Sequence, residues 1–191
     1  MIMRTRWTGA MAVLAGLLVT GGRPAGAQQA TAGTPRAVAE RVFAALSAKN
    51  ADAFARDMHP AELAAFKTAV MGSLADLKTD QEKQGAVDFF AGVSKFEQIG
   101  ALPPDRFFAA YMGGVFRRMR ASGDVQMKYQ VLGQVPEGKN LIHVVYRARV
   151  SQGQRSASDV SLLTLKQSPG GWKAMLSGDL RSIAGPAAAP E

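Results

Sequence analysis

Whatever acid–base chemistry this chain can perform rests on two histidines, three tyrosines and a scatter of carboxylates. His59 stands directly before Pro60 and two residues after Asp57, so its imidazole could take a proton with a carboxylate beside it. A histidine before proline also stands where one helix stops and the next begins, and a capping role fits the position better. His143 alternates with Val145, Arg147 and Arg149 along one strand face and belongs with a basic outer surface. An isomerase-type site needs an aspartate base facing a tyrosine and a protonated acid in one dry pocket. Tyr111, Tyr129 and Tyr146 lie on apolar faces, but Asp159 opens its strand and Asp179 follows Gly178, both in solvent-facing positions. The spacing therefore designates no catalytic residue. Cysteine is absent, which excludes thiolate catalysis, disulfides, zinc ribbons and thioether haem attachment. No metal site and no cofactor are expected, and phosphate loops, nucleophile elbows and glycosidase-like carboxylate pairs do not occur as sequence signals.

Binding is a better prospect than catalysis. An aromatic and methionine stripe at Phe107, Phe108, Tyr111, Met112, Val115, Phe116 and Met119 has helical spacing, and ordinary core packing explains that spacing without a ligand. Were the sheet to stand off from this helix, Phe108, Tyr111 and Met112 would face Tyr129 and Tyr146 across a cavity for a small apolar or amphipathic molecule. Arg147 and Arg149 would lie on the basic surface.

The elements that must position these residues run helices first, strands second. Thr34-Pro35 supplies an N-cap and a proline at the first helical position, with Val38, Val42, Phe43 and Leu46 on one face. Lys49-Asn50 breaks that helix, and Ala51 to Met58 forms a short second one with Phe54 and Met58 inward. A third starts after Pro60 with Leu63, Phe66, Val70, Leu74 and Leu77, and its polar continuation, residues 78–84, ends at Gly85. Val87, Phe89, Phe90, Val93 and Phe96 make a compact apolar helix. The last helix runs from about Pro104 to Arg120, burying Phe107 or Phe108 and the residues that follow in the stripe.

At Ser122-Gly123-Asp124 the period changes from 3.6 to 2. Val125, Met127, Tyr129 and Val131 form one strand face; Ile142, Val144, Tyr146, Ala148 and Val150 form a second. Residues 153–158 are a turn, 159–167 a third strand and 172–183 a fourth, with short connections that make an antiparallel meander. The fold class is α+β: a helical N-terminal half packed on a four-stranded antiparallel sheet.

The chain has 191 residues, 47% hydrophobic and 20% charged, the balance of one globular domain, with a formal net charge of +8. Its opening segment looks like a secretory signal peptide: Arg4 and Arg6 without an acid, an apolar run at 10–19, and small residues before Ala27, where cleavage is expected. The apolar run is too short for a membrane anchor, since a bilayer core demands about 20 residues. Periplasmic or secreted localisation follows as the expectation. Residues 28–33 form a flexible leader, 34–184 a single domain and 185–191 a disordered tail. Residues 1–27 carry three cations and no acid, which leaves +5, and from Arg117 onward eleven cations face five acids. Arg117, Arg118 and Arg120 cluster without the interleaved aromatics that stack bases, so nucleic acid is not an expected partner. They fit a solvated helix end, where the dipole favours cations. Anionic lipid headgroups are the more plausible counter-charge in an exported protein.

The opening helix, Lys49-Asn50-Ala51-Asp52 and the short helix ending Met58-His59-Pro60 resemble the start of nuclear transport factor 2-like, or cystatin-like, domains. Gly170-Gly171-Trp172-Lys173 before the last strand is similar to that superfamily too. The resemblance covers about half of the chain after residue 27, and the helical stretch 60–120 departs from it, because many members have a shorter helix and a hairpin there. It implies a cone-shaped cavity between concave sheet and helices, used by members for isomerisation, hydrolysis, lipid carriage or protein association. A non-catalytic binding or interaction role is the expectation. A periplasmic lipid carrier of the lipid-asymmetry type and a small-molecule isomerase or hydrolase are the alternatives, and an open sheet of this kind also admits a homodimer.

Overall fold

The computed structural model describes residues 33–123 and 125–176. The expected signal-peptide segment, most of the expected leader, the expected fourth strand after Leu176, Asp179 and the expected tail lie outside them, and that strand ends at Ala174, since Met175 and Leu176 are described and not in a strand. Six helices precede four strands: α1 Pro35–Ser47, α2 Ala51–Arg56, α3 Pro60–Ala75, α4 Asp80–Phe89, α5 Phe96–Ala101, α6 Pro104–Ala121, then β1 Val125–Glu137, β2 Leu141–Gln152, β3 Arg155–Ser168 and β4 Gly171–Ala174. The strands form one antiparallel sheet in chain order, and the architecture is the α+β layering of helices on a meander.

Local chemistry accounts for the first elements. Thr34 Oγ1 accepts from Ala37 N at 3.3 Å and Pro35 supplies the first helical residue of α1. Lys49 takes a left-handed φ of 52°, which ends that helix, and Asn50 Oδ1 then accepts from Ala53 N at 3.0 Å to start α2. The second helix stops at Arg56, two residues short of the expected Met58. Met58 instead forms a parallel bridge with Ala174: Ala174 N donates to Asp57 O and His59 N to Ala174 O, each at 2.8 Å. These bonds clip the end of α2 to the innermost residue of β4. Asp57 is 8% exposed and accepts a two-pronged bond from Arg41, whose Nε and Nη2 donate at 3.1 and 2.9 Å.

Three expectations about the helical stretch need correction. Residues 78–84 do not continue α3. A capping box starts a new helix there, with Thr79 Oγ1 accepting from Glu82 N and the Glu82 carboxylate accepting from Thr79 N. Gly85 consequently lies inside α4. The apolar run from Val87 to Phe96 is not one helix either: Phe90 turns extended, Gly92 takes φ 74°, and α5 begins only at Phe96. Phe107 and Phe108 are both fully buried.

The sheet follows its alternation closely. Val131 opposes Tyr146, Leu132 is an extra residue, and Gly133 opposes Val145, so a bulge bends β1 at midlength. Gly153 at φ 56° makes a two-residue turn, so β3 starts at Arg155 rather than Asp159. The register puts Met127, Tyr129, Val131, Val144, Tyr146 and Leu165 on the inner face.

The helix covering that face is α1, which touches all four strands, whereas α6 packs on α2, α3 and α4. Phe43 of α1 stands on Tyr129 and Tyr146, with ring centroids 4.9 and 4.6 Å away. The expected cavity between the last helix and the sheet is therefore not where the two layers meet; α1 occupies that position. In the helical layer Phe66 is the hub, its ring 6.4 Å from Phe107, 5.1 Å from Phe108 and 5.0 Å from Tyr111.

Close backbone approach fixes α6 against the end of α4. A Cβ on Gly114 would lie 2.0 Å from the Phe89 carbonyl oxygen, and one on Gly113 would lie 2.7 Å from Ala91 Cβ. Gly85, by contrast, has open space around it. Gly114→Ala is expected to lower stability by about 2 kcal/mol, since overpacking outweighs the gain in helix propensity. Gly85→Ala should raise it by roughly 0.5–1 kcal/mol. Urea midpoints of the two variants check both signs, and a raised midpoint for Gly114→Ala would refute the close approach.

Candidate functional site

Of the clefts on the described residues, three are told apart by the charges at their rims. The first, about 440 Å³, runs between α1 and β1 and is lined in part by Phe43, Tyr129 and Val131. Its charged groups, Arg36 and Glu40, are joined at 2.8 Å and largely satisfy each other. The second, about 280 Å³, lies between α2, α6 and the Ala91–Val93 turn. Its charges, Asp52 and Arg106, are likewise paired, at 3.2 Å.

The third cleft is a groove of about 390 Å³ between α3, α4 and α6. Val70, Leu74 and Leu77 line it from α3 and its C-terminal end, Ala86 and Phe89 from α4, and Tyr111 and Arg118 from α6. The groove runs from the C-terminal end of α3 past the middle of α4 to the middle and C-terminal turns of α6. Phe89 and Phe90 hold the Tyr111 ring edge-on, at centroid distances of 5.0 and 5.8 Å. The Arg118 guanidinium lies 4.5 Å from the Phe89 ring centroid, a cation–π contact that leaves its N–H edges available. Among the described residues Arg118 has no carboxylate partner, and the Tyr111 hydroxyl has no hydrogen-bond partner. Burial raises the Tyr111 pKa, and the nearby Arg118 charge opposes that rise.

Glu82, the groove's carboxylate, is committed elsewhere. It accepts from Lys78 N and Thr79 N, both at 2.8 Å, and these backbone bonds lower its pKa. The neighbouring Arg117 is committed too, donating from Nη2 to Asp88 O at 2.9 Å and Phe89 O at 2.8 Å, where it caps the end of α4. The groove thus offers an apolar trough with one phenol and one cation, and no acid–base pair.

The structure does not bring the sequence-designated residues together. Phe108 and Met112 are buried in the core, Tyr111 lies on the groove, and on the sheet side Tyr129 is stacked under Phe43 with Tyr146 tilted against it. Arg147 and Arg149 are exposed on the outer sheet face. His59 is the N-cap of α3, its Nδ1 accepting from Ala61 N at 3.3 Å, while Asp57 is held by Arg41. His143 meets Thr164 Oγ1 at 3.0 Å through Nδ1 and Glu137 through Nε2. Asp159 is exposed, its Oδ1 accepting from Val160 N at 2.8 Å. Sequence reasoning missed Leu74, Ala86, Phe89 and Arg118 as a group. The arginine cluster was the available signal, but its partner Phe89 is 29 residues away and no periodicity connects them.

No protein-family model matches this chain, and no curated protein matches it. Among solved structures, a Thiobacillus denitrificans protein described as a calcium/calmodulin-dependent protein kinase type II association domain is similar over 75% of this chain and 91% of its own, at 13% identity and a TM-score of 0.42. A likeness at that level identifies neither a family nor a ligand.

Tyr129 has the largest displaced titration among the described groups. Burial, and then the adjacent Tyr146 phenol, push it up to about 12, against about 10 in an unfolded chain. Between those values the unfolded chain sheds the proton while the folded one keeps it, so stability falls as pH rises through 10 to 12. Tyr129→Phe should flatten that decline in urea midpoints measured from pH 9 to 12. An unchanged slope would show that the Tyr129 hydroxyl is solvated in the folded protein.

Proposed function

We propose that this chain is a non-catalytic binding protein whose ligand is a small amphipathic molecule with an anionic end. The observation that carries this reading is the Arg118 guanidinium, without a carboxylate partner among the described residues, seated on the Phe89 ring that also meets Tyr111, at the edge of an otherwise aliphatic and aromatic groove. A carboxylate would accept from the guanidinium, and an alkyl or aryl body would lie along Leu74, Ala86 and Phe89. At about 390 Å³ the groove is within the usual range of small-molecule sites, roughly 300–1,000 Å³. Neither histidine lines it, and its carboxylate already accepts backbone hydrogen bonds, which favours binding over turnover.

The helices-then-meander order, together with the turn chemistry at 49–52 and 170–173, supports a nuclear transport factor 2-like domain in which stretch 60–120 builds its own groove. The signal-like residues 1–27 support export to the periplasm or beyond.

Titration calorimetry with decanoate as the probe tests the site. Arg118→Ala should weaken binding about tenfold or more, the worth of a charge-assisted hydrogen bond. Gly85→Leu, which adds a side chain over open space in the groove wall, should abolish binding while leaving the chain folded. Decanoate affinity unaffected by either change would sink the proposal.

A further inference from the structure

The outer face of the sheet lies opposite the face that α1 covers, and its composition is lopsided. The strand register puts Lys128 directly opposite Arg149, with Arg147 two residues along β2 and Lys166 on β3 opposite Leu141. Like charges directly opposite across strands destabilise a sheet unless a counter-charge serves them. None does within the described residues: the one carboxylate that the strand register puts on this face, Glu137, is hydrogen-bonded to His143. Between the cations lies an aliphatic patch. Val135 is 54% exposed, Val160 49% and Leu162 53%, and Leu162 opposes Val145.

We propose that this face docks on an anionic lipid surface. Charge complementarity selects the partner. A second copy applied symmetrically would set Lys128, Arg147, Arg149 and Lys166 against the same four residues, and like-charge juxtaposition across an interface is costly. A protein partner would be expected to find an aromatic anchor, but the register gives this face only valine and leucine, residue types poor in binding energy at protein interfaces. An anionic bilayer needs no such anchor. Guanidinium and ammonium groups meet the phosphates, each contributing to adsorption, while short aliphatic side chains enter the headgroup boundary.

The test is co-sedimentation of the full chain with phosphatidylcholine vesicles, with and without phosphatidylglycerol. Binding is expected only to the anionic vesicles and is expected to be lost near 1 M salt, where screening acts within about 3 Å. Arg147→Gln/Arg149→Gln should weaken it roughly thirtyfold, two cations' worth of surface attraction, with an unchanged thermal midpoint. The same apolar 10–19 run is present in both chains, so the difference reads the face alone. Val160→Ser/Leu162→Ser provides a second variant, expected to weaken binding without changing its salt dependence. Equal binding by wild type and the arginine variant, or equal binding to both vesicle types, would overturn the proposal. So would a dimer in sedimentation equilibrium that Leu162→Asp dissociates, because the face would then belong to a second copy.

Discussion

One helix can cover one face of a sheet, and the rest of this structure depends on which helix does so. Val38, Val42 and Phe43 of α1 are buried, and α1 meets all four strands. That choice takes the inner sheet face out of reach of α6, the longest and most aromatic helix. The phenylalanines of α6 then need a core of their own, and α2, α3 and α4 supply it around Phe66. Two apolar layers fuse into one continuous core through residues such as Phe54, which reaches Phe108 at 5.3 Å. The α3–α4–α6 groove is a by-product of this division, lying alongside the core that α6 builds with α3 and α4.

Charge is managed differently in the two layers. Within the helices cations are consumed locally. Lys67 Nζ donates to Gly100 O at 2.8 Å and Leu102 O at 2.7 Å, Arg117 closes α4, and Arg41 neutralises the buried Asp57. Each of these charges satisfies backbone or carboxylate groups that packing would otherwise strand. The outer sheet face does the opposite, gathering cations whose partners are not supplied by the described chain. Arg118 stands between the two regimes, held in place by a ring yet electrostatically unspent.

Legibility in the sequence followed the range of the interactions. Thr34-Pro35 and Lys49-Asn50 act on their own few residues, so the start of α1 and the α1–α2 break could be read directly, whereas at Gly153 the turn was legible but its two-residue length was not. The alternation along β1 and β2 was equally plain, because a covered face repeats every second residue. Thr79 and Glu82 also form a local signal, but leucines at three- and four-residue spacing before them imitate a helix running on. Phe89, Phe90, Val93 and Phe96 likewise imitate one amphipathic stripe, although Gly92 breaks it. Whether α1 or α6 meets the sheet has no local signature, since both carry apolar stripes of comparable quality. The same blindness split the tyrosines: Tyr111 belongs with Phe89 and Phe90, Tyr129 and Tyr146 with Phe43.

The clip between α2 and β4 ties events of synthesis to events of folding. Lys173 Nζ reaches Arg56 O at 2.7 Å across 117 residues, alongside the backbone bonds of Asp57 and His59 to Ala174. Closing so long a loop adds little to the equilibrium cost but delays the step, because its entropy is lost before the contacts form. A ribosome delivers Met58 long before it delivers Ala174. For that whole interval the end of α2 waits for its β4 partner, although β1 to β3, which emerge earlier, can already seat α1.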